Sequence, residues 1–369
     1  MNIAELPTPA LLLDFDIFES NIHHMAGFAA RAGKRLRPHA KAHKCVEIAK
    51  RQIAAGAVGV CVATVSEAEL MVHGGVRGVL LTSPIADSRK CDRVAALMTL
   101  APDTSVVVDH AEQVRLYSAA AERAGVKLNV LVDLDLGDHR TGIGAGEPAL
   151  QLAQEIHASR SLTFKGLQAY SVRASHMREE EGRAEYSARV LDQALQTRLL
   201  LESHGIQAEL ITGGSSGSYA ADAALPFVNE LQAGSYALMD VAYARIGGVD
   251  FGNALTVLAT VISANHADRV TVDAGFKAFA TDRPFGPDVQ TLPDARYEWA
   301  GDEFGYVFLD RKTQKLELGD RVRFIPPHCD PTVNLYDRIH VCRGDEVQDV
   351  WPVMDRVPSH SLTFARGRC

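Results

Sequence analysis

From Pro9 onward the chain alternates short apolar runs with longer stretches of helical periodicity, the order that feeds βα units into a parallel sheet. Candidate strands are Ala10 to Asp14, Arg35 to Ala42, Gly59 to Thr64, Gly78 to Thr82, Ser105 to Asp109, Asn129 to Asp135, Phe164 to Tyr170 and Glu209 to Thr212. About eight such units predict an α/β fold, a (β/α)8 barrel of the TIM type. Between them, Pro148 to Ala158 reads as a helix opened by a proline, and Ala184 to Ser203 as one built from good helix formers. Ser66 followed by Glu69 predicts a capping box after the third strand.

After about Asp240 the alternation stops. Ala254 to Ser263, Val270 to Asp273, Tyr306 to Leu309, Arg321 to Ile325, Arg338 to Val341 and Val347 to Val353 read as strands separated by Gly, Pro and Asp turns. The expected division is a barrel over residues 1–242, its first strand free to pair with the second domain, and a mainly β domain over 243–369. The tail from Arg356 to Cys369 has no periodicity, and no internal repeat or low-complexity segment stands out.

A chain of 369 residues with 47% hydrophobic positions can bury a sizeable core. A net charge of −8 disfavours a general nucleic-acid binder, because neutralising phosphates needs a basic surface. The six cysteines include no Cys-x-x-Cys pair, so neither a disulfide framework nor a structural zinc site is expected. The N-terminus lacks a basic leader, its apolar run is broken by Asp14, and no run reaches the length of a membrane span. A cytoplasmic protein, without nucleic-acid or membrane partners, is the expectation.

Against this acidic background Lys34 to Lys44, KRLRPHAKAHK, is conspicuous. As a strand it would place Arg35, Arg37, His39, Lys41 and His43 on one face and Leu36, Pro38, Ala40 and Ala42 on the other. Uncompensated cations inside a barrel cost several kcal/mol. Two readings stay open: an edge strand with a solvated basic face, or a lysine beside an anionic cofactor, its amine kept partly neutral by neighbouring cations so that it can form a Schiff base.

Barrel enzymes carry their chemistry at the carboxyl ends of the strands. Polar residues recur there: Asp109-His110, Asp133 to Arg140, Gln168 to His176, and Thr212 to Ser218. In the last, TGGSSGS, the glycines permit close backbone approach and the successive N–H groups suit a phosphate; a plain flexible turn is the alternative. Arg140 is either a site residue or a loop arginine paired with Asp138. His328 and Asp330, two apart in PPHCDPTVNLYD, would share a face of an extended segment with Cys329 turned away, an imidazole and a carboxylate that suit a divalent ion.

RPHAKAHK resembles the cofactor-lysine segment of the D-threonine aldolase, 3-hydroxy-D-aspartate aldolase and D-serine dehydratase families, pyridoxal-phosphate (PLP) enzymes built like alanine racemase. The resemblance runs from about Thr8 to Val353 with its motifs in order. It implies that Lys41, not Lys44, carries PLP, that Arg140 faces the pyridine nitrogen, and that Gln168, Tyr170, Thr212, Gly213, Gly214, Ser215, Ser216 and Tyr236 contact the cofactor. It implies that His176 takes the proton of the substrate's β-hydroxyl. The string HCDPTxNxxD implies a metal at His328 and Asp330, Mn-like, with Mg, Co or Zn as alternatives; dehydratase relatives tend to carry Cys in place of the Asp. Departures fall at His139 and Thr141 around the arginine, at Ser171-Val172 after Tyr170, and at Phe304 in DEFG. The implied activity is cleavage of a D-3-hydroxy-α-amino acid to glycine and an aldehyde by a homodimeric enzyme. The rivals are a dehydratase that releases ammonia and a non-catalytic PLP carrier.

Overall fold

The structure, a computed structural model, describes residues 1–292, 294–309 and 315–356; the aperiodic tail beyond 356 lies outside them. The chain divides into two compact units, one of Met1–Gly27, Arg178–Glu180 and Gly234–Met354, the other of Phe28–Met177, Glu181–Ala233 and the chain from Asp355.

The second of these units is the barrel. Its parallel strands follow each other in space as Arg35–Leu36, Glu230–Leu231, Leu210–Gly213, Leu162–Ala169, Leu128–Asp135, Ser105–Val108, Val79–Leu81 and Val60–Val62. The ring closes where the chain after Leu36 meets the last of these: Val58 N–H donates to Leu36 O and Cys61 N–H to Pro38 O, both at 2.8 Å, with His39 bridged to Cys61. Val79–Leu81 and Val60–Val62 are wholly buried, which is why they read as continuous apolar runs. Cys61, Leu80, Val107 and Leu131 form one apolar layer across four of them.

Ala10–Asp14 pairs in the other unit, the option the sequence left open, and the eighth barrel strand is Glu230–Leu231, two residues with no periodicity to read. The cap of helix Val65–His73 sits two residues earlier than Ser66: Thr64 accepts from Glu67 N–H at 3.1 Å, and Glu67 reaches back to Ala63 N–H at 2.7 Å. This is the reciprocal box with Thr as the cap.

In the other unit Ala10–Asp14 runs antiparallel to Leu255–Ser263 and parallel to Arg338–Arg343, which continues into Glu346–Pro352. Leu255–Ser263 also pairs with Arg321–Ile325 and Arg269–Val272, and Gly305–Phe308, Arg296–Trp299 and Asp288–Val289 complete the sheet. Phe279, Tyr297 and Phe324 meet edge to face in its core, with ring centroids 5.6–5.8 Å apart. The last two small strands were not legible in the sequence.

Candidate active site

The lysine segment is not a continuous strand. Pairing stops at Leu36, and Ala40–Ala42 forms a 3-10 turn capped by the His39 ring, whose Nδ1 accepts from Lys41 N–H at 3.4 Å. Nor are the cations uncompensated. The buried Glu230 receives Nε and Nη2 of Arg37 at 2.9 and 3.0 Å, and Arg35 approaches it at 3.3 Å. Lys44 lies 3.3 Å from Glu67 and donates to Asp355 O at 3.0 Å, and burial pushes the Glu67 carboxyl up against that pairing. Lys41 is half-buried off the turn. Burial pushes the Cys61 thiol well up, and the charges of Arg37 and Lys41 pull against it.

Across the barrel interior runs a chain of polar side chains. Thr141 Oγ1 donates to Asp133 at 2.9 Å; Gln168 Nε2 donates to Asp133 at 2.8 Å and to Thr82 O at 3.0 Å. Strands Leu162–Ala169 and Val79–Leu81 are not neighbours in the sheet, so the last contact spans the barrel. Gln232 Nε2 reaches Gln168 Oε1 at 3.3 Å and Thr212 Oγ1 at 3.1 Å, and Thr212 donates to Glu230 at 3.0 Å, which closes the chain on Arg37. His39 Nε2 lies 3.0 Å from Thr82 Oγ1. Burial pushes the Asp133 carboxyl up to about 6, with the bonds from Gln168 and Thr141 opposing.

At the carboxyl ends of these strands a pocket is lined by Asp133, Arg140, Thr141, Gln168, Tyr170 and Val172. Arg140 is exposed and lies over the Tyr170 ring, 5.2 Å from its centroid. Its expected alternative partner, Asp138, instead accepts from Val172 N–H. His176 ends the short helix Val172–His176, exposed, beyond the same strand as Gln168 and Tyr170.

The loop after Leu210–Gly213 is buried and differs from an open cradle. Gly214 takes a φ of 81°, a conformation that favours glycine. The N–H groups of Ser215, Gly217 and Ser218 donate to serine hydroxyls of the loop at 3.1–3.2 Å, and Ser218 donates to the buried Asp222 at 2.6 Å. A phosphate oxygen would therefore replace a serine hydroxyl. The donor set of the barrel mouth fits an anionic ring compound: one lysine, one arginine on an aromatic face, amide and hydroxyl donors, and a loop of N–H groups.

In the other unit Tyr236 is fully buried on the 3-10 turn Ser235–Ala237, its ring centroid 5.5 Å from that of Phe251. His328 and Asp330 do not lie in one extended segment: His328 caps the helix Cys329–Val333, and Asp330 is in its first turn. His328 Nδ1 is 2.7 Å from Asp282, which leaves Nε2 for a ligand, and Asp330 accepts from Ser235 at 3.1 Å and from the Cys329 thiol at 3.2 Å. Among the described residues no group of three or more His, Cys, Asp or Glu is arranged to hold a metal ion. An ion here would take two protein ligands and fill its other positions from water or substrate.

Asp133 was read only as the start of a polar stretch at a strand end, and Glu230 and Gln232 were given no role; the structure joins all three in the interior hydrogen-bond chain.

These features define a (β/α)8-barrel enzyme with a polar core and a mouth built for an anionic group. Residues 13–241 match the family model of the alanine racemase N-terminal domain, and residues 254–342 that of a putative serine dehydratase domain. D-threonine aldolase of Arthrobacter sp is 40% identical over 357 residues, 96% of this chain and 94% of that protein. 3-Hydroxy-D-aspartate aldolase of Paracoccus denitrificans (strain Pd 1222) is 38% identical over 365 residues, with the same coverage. The crystal structure of D-threonine aldolase from Filomicrobium marinum superposes with a TM-score of 0.93 at 40% identity, covering 96% of each chain. The chain belongs to the family of D-threonine and 3-hydroxy-D-aspartate aldolases, and that membership supports pyridoxal phosphate as the cofactor. Among the described residues no helix is long and apolar enough to cross a membrane.

Proposed function

We infer that the protein is a PLP-dependent aldolase that cleaves D-3-hydroxy-α-amino acids to glycine and an aldehyde. The observation that carries this reading is the barrel mouth itself, where a lysine whose neighbour Lys44 is committed to Glu67 and Asp355 stands at strand ends that also bear Arg140 and the Gly/Ser loop. Lys41 would hold the cofactor covalently; Arg140, Gln168 and Tyr170 would flank its ring; Thr212, Gly213, Gly214, Ser215, Ser216 and Tyr236 would hold its phosphate. When bound, PLP supplies the electron sink that makes scission of the Cα–Cβ bond accessible. An arginine at the ring nitrogen, which does not give up its proton, would leave that nitrogen unprotonated and make the sink a weaker one.

His176, exposed on its short helix, would take the proton of the β-hydroxyl as a general base. His328 and Asp330 would hold a divalent ion, Mn-like, which supplies Lewis acidity toward an oxygen ligand. Asp330, standing where dehydratase relatives tend to carry Cys, favours the aldolase over the dehydratase. The working assembly would be a homodimer in the cytoplasm.

Product analysis tests the reading: incubation with D-threonine should release glycine and acetaldehyde, whereas ammonia with a keto acid would establish the dehydratase. Borohydride trapping of the PLP-loaded protein followed by peptide mapping should label Lys41; a label on Lys44 overturns that assignment. His176→Ala should keep the cofactor spectrum and slow cleavage by about 10²–10⁴.

A further inference from the structure

Helix Val172–His176 brings together side chains that the aldolase reading uses only in part. It follows barrel strand Leu162–Ala169, and its Val172 lines the pocket that holds Arg140 and Tyr170. Residues three apart on a helix are surface neighbours. Arg173 and His176, both exposed, therefore stand side by side while Ala174 and Ser175 are buried. The Arg173 guanidinium lies over the Tyr186 ring, 5.0 Å from its centroid, and Arg189 approaches the same ring at 5.1 Å. Tyr186 is in the second turn of Glu180–Ser203, the helix that follows this strand and so begins at the carboxyl mouth of the barrel. Stacking holds a planar guanidinium by its face and leaves its edge of N–H donors as a fork for a carboxylate.

We propose that Arg173 is a specificity-determining residue that binds a carboxylate carried on the substrate's β-carbon, so that a D-3-hydroxy diacid such as D-3-hydroxyaspartate is preferred to D-threonine. The inference rests on the aldolase reading with His176 at the β-hydroxyl. In such a diacid one carbon bears both the hydroxyl and the second carboxylate, and this helix presents an imidazole and a guanidinium as immediate neighbours to meet them. Tyr186 is the positioning residue that holds the fork in place, and Arg189 adds a second cation that favours a substrate of net charge −1 over a zwitterion of no net charge.

The test is kcat/KM for D-3-hydroxyaspartate, D-threonine and D-phenylserine, measured on the PLP-loaded full chain as wild type, Arg173→Ala, Arg173→Lys and Tyr186→Leu. The wild type should rank D-3-hydroxyaspartate first. Arg173→Ala should lower its ratio to D-threonine by at least about 30-fold, the scale of one broken desolvated charge pair. Lysine should restore part of the ratio, and Tyr186→Leu should lower it less, by raising KM for the diacid alone. A ratio of D-3-hydroxyaspartate to D-threonine that Arg173→Ala leaves unchanged, or a wild type that puts D-phenylserine first, overturns the inference while leaving the aldolase reading intact. A wild type that cleaves none of the three overturns the aldolase reading itself, and this inference with it.

Discussion

The polar chain inside the barrel and the His328–Asp330 motif of the other unit are both built from side chains that could carry chemistry, yet they differ in burial. Glu230 and Thr212 are fully buried and each donor in the chain meets an acceptor, so its members stabilise one another in a medium where an unmade bond is expensive. His328 and its partner Asp282 are partly in water, with side chains 18% and 44% exposed. Losing a partner there costs the fold little. The difference teaches that polarity in a barrel interior marks the scaffold of a site as readily as its reactive groups, and that the members exposed at the edges are the ones free to meet substrate.

The sharpest way to break this comparison is Asp330→Ala together with chelation. Both should abolish turnover, and the chelated wild type should recover with Mn²⁺, while the cofactor spectrum persists and stability changes by less than about 1 kcal/mol, as for a partly exposed pair. Retained activity would make the motif structural. Glu230→Gln should do the reverse: it leaves Arg37 buried without its carboxylate and should destabilise the chain by about 3–5 kcal/mol in denaturant melts. A loss below 1 kcal/mol would mean that the interior relaxes around Arg37.

Asp133 sharpens the comparison through pH. Its carboxyl rises from 3.8 to about 6 because it is buried, so between those values the folded chain keeps a proton that the unfolded chain has released, and stability falls as pH rises through that window. Two units correspond to about 3 kcal/mol. Asp133→Asn should flatten the stability profile between pH 4 and 6, and an unchanged slope would place the titrating group elsewhere. The smallest effect expected is that of Thr64→Ala, which removes the helix cap and should cost about 1 kcal/mol in denaturant melts. Unchanged stability would show that Thr64 is not the cap.

Much of the architecture was legible because buried parallel strands are continuous apolar runs: six of the barrel's strands and Arg321–Ile325 fall where the pattern puts them, and a seventh, Arg35–Leu36, keeps only the first two residues of its run. Glu230–Leu231 was not, because two residues carry no period, and its role comes from pairing on both sides with distant chain. The lysine segment shows the limit most clearly. Alternation correctly marked Leu36, Ala40 and Ala42 as buried, but it assumed a strand through Lys41, where the chain instead turns about the His39 ring.

The sequence by itself determined the order of βα units, the switch to β structure after Asp240, and the identities of the residues that match the aldolase family, since these depend on local period and on side-chain type. Only the tertiary structure decided which cations are neutralised. Arg37 meets Glu230, which lies 193 positions away, and Lys44 meets Glu67 and Asp355. Such pairings follow from closing a ring and folding the chain back on it, and no window of neighbouring residues contains that information.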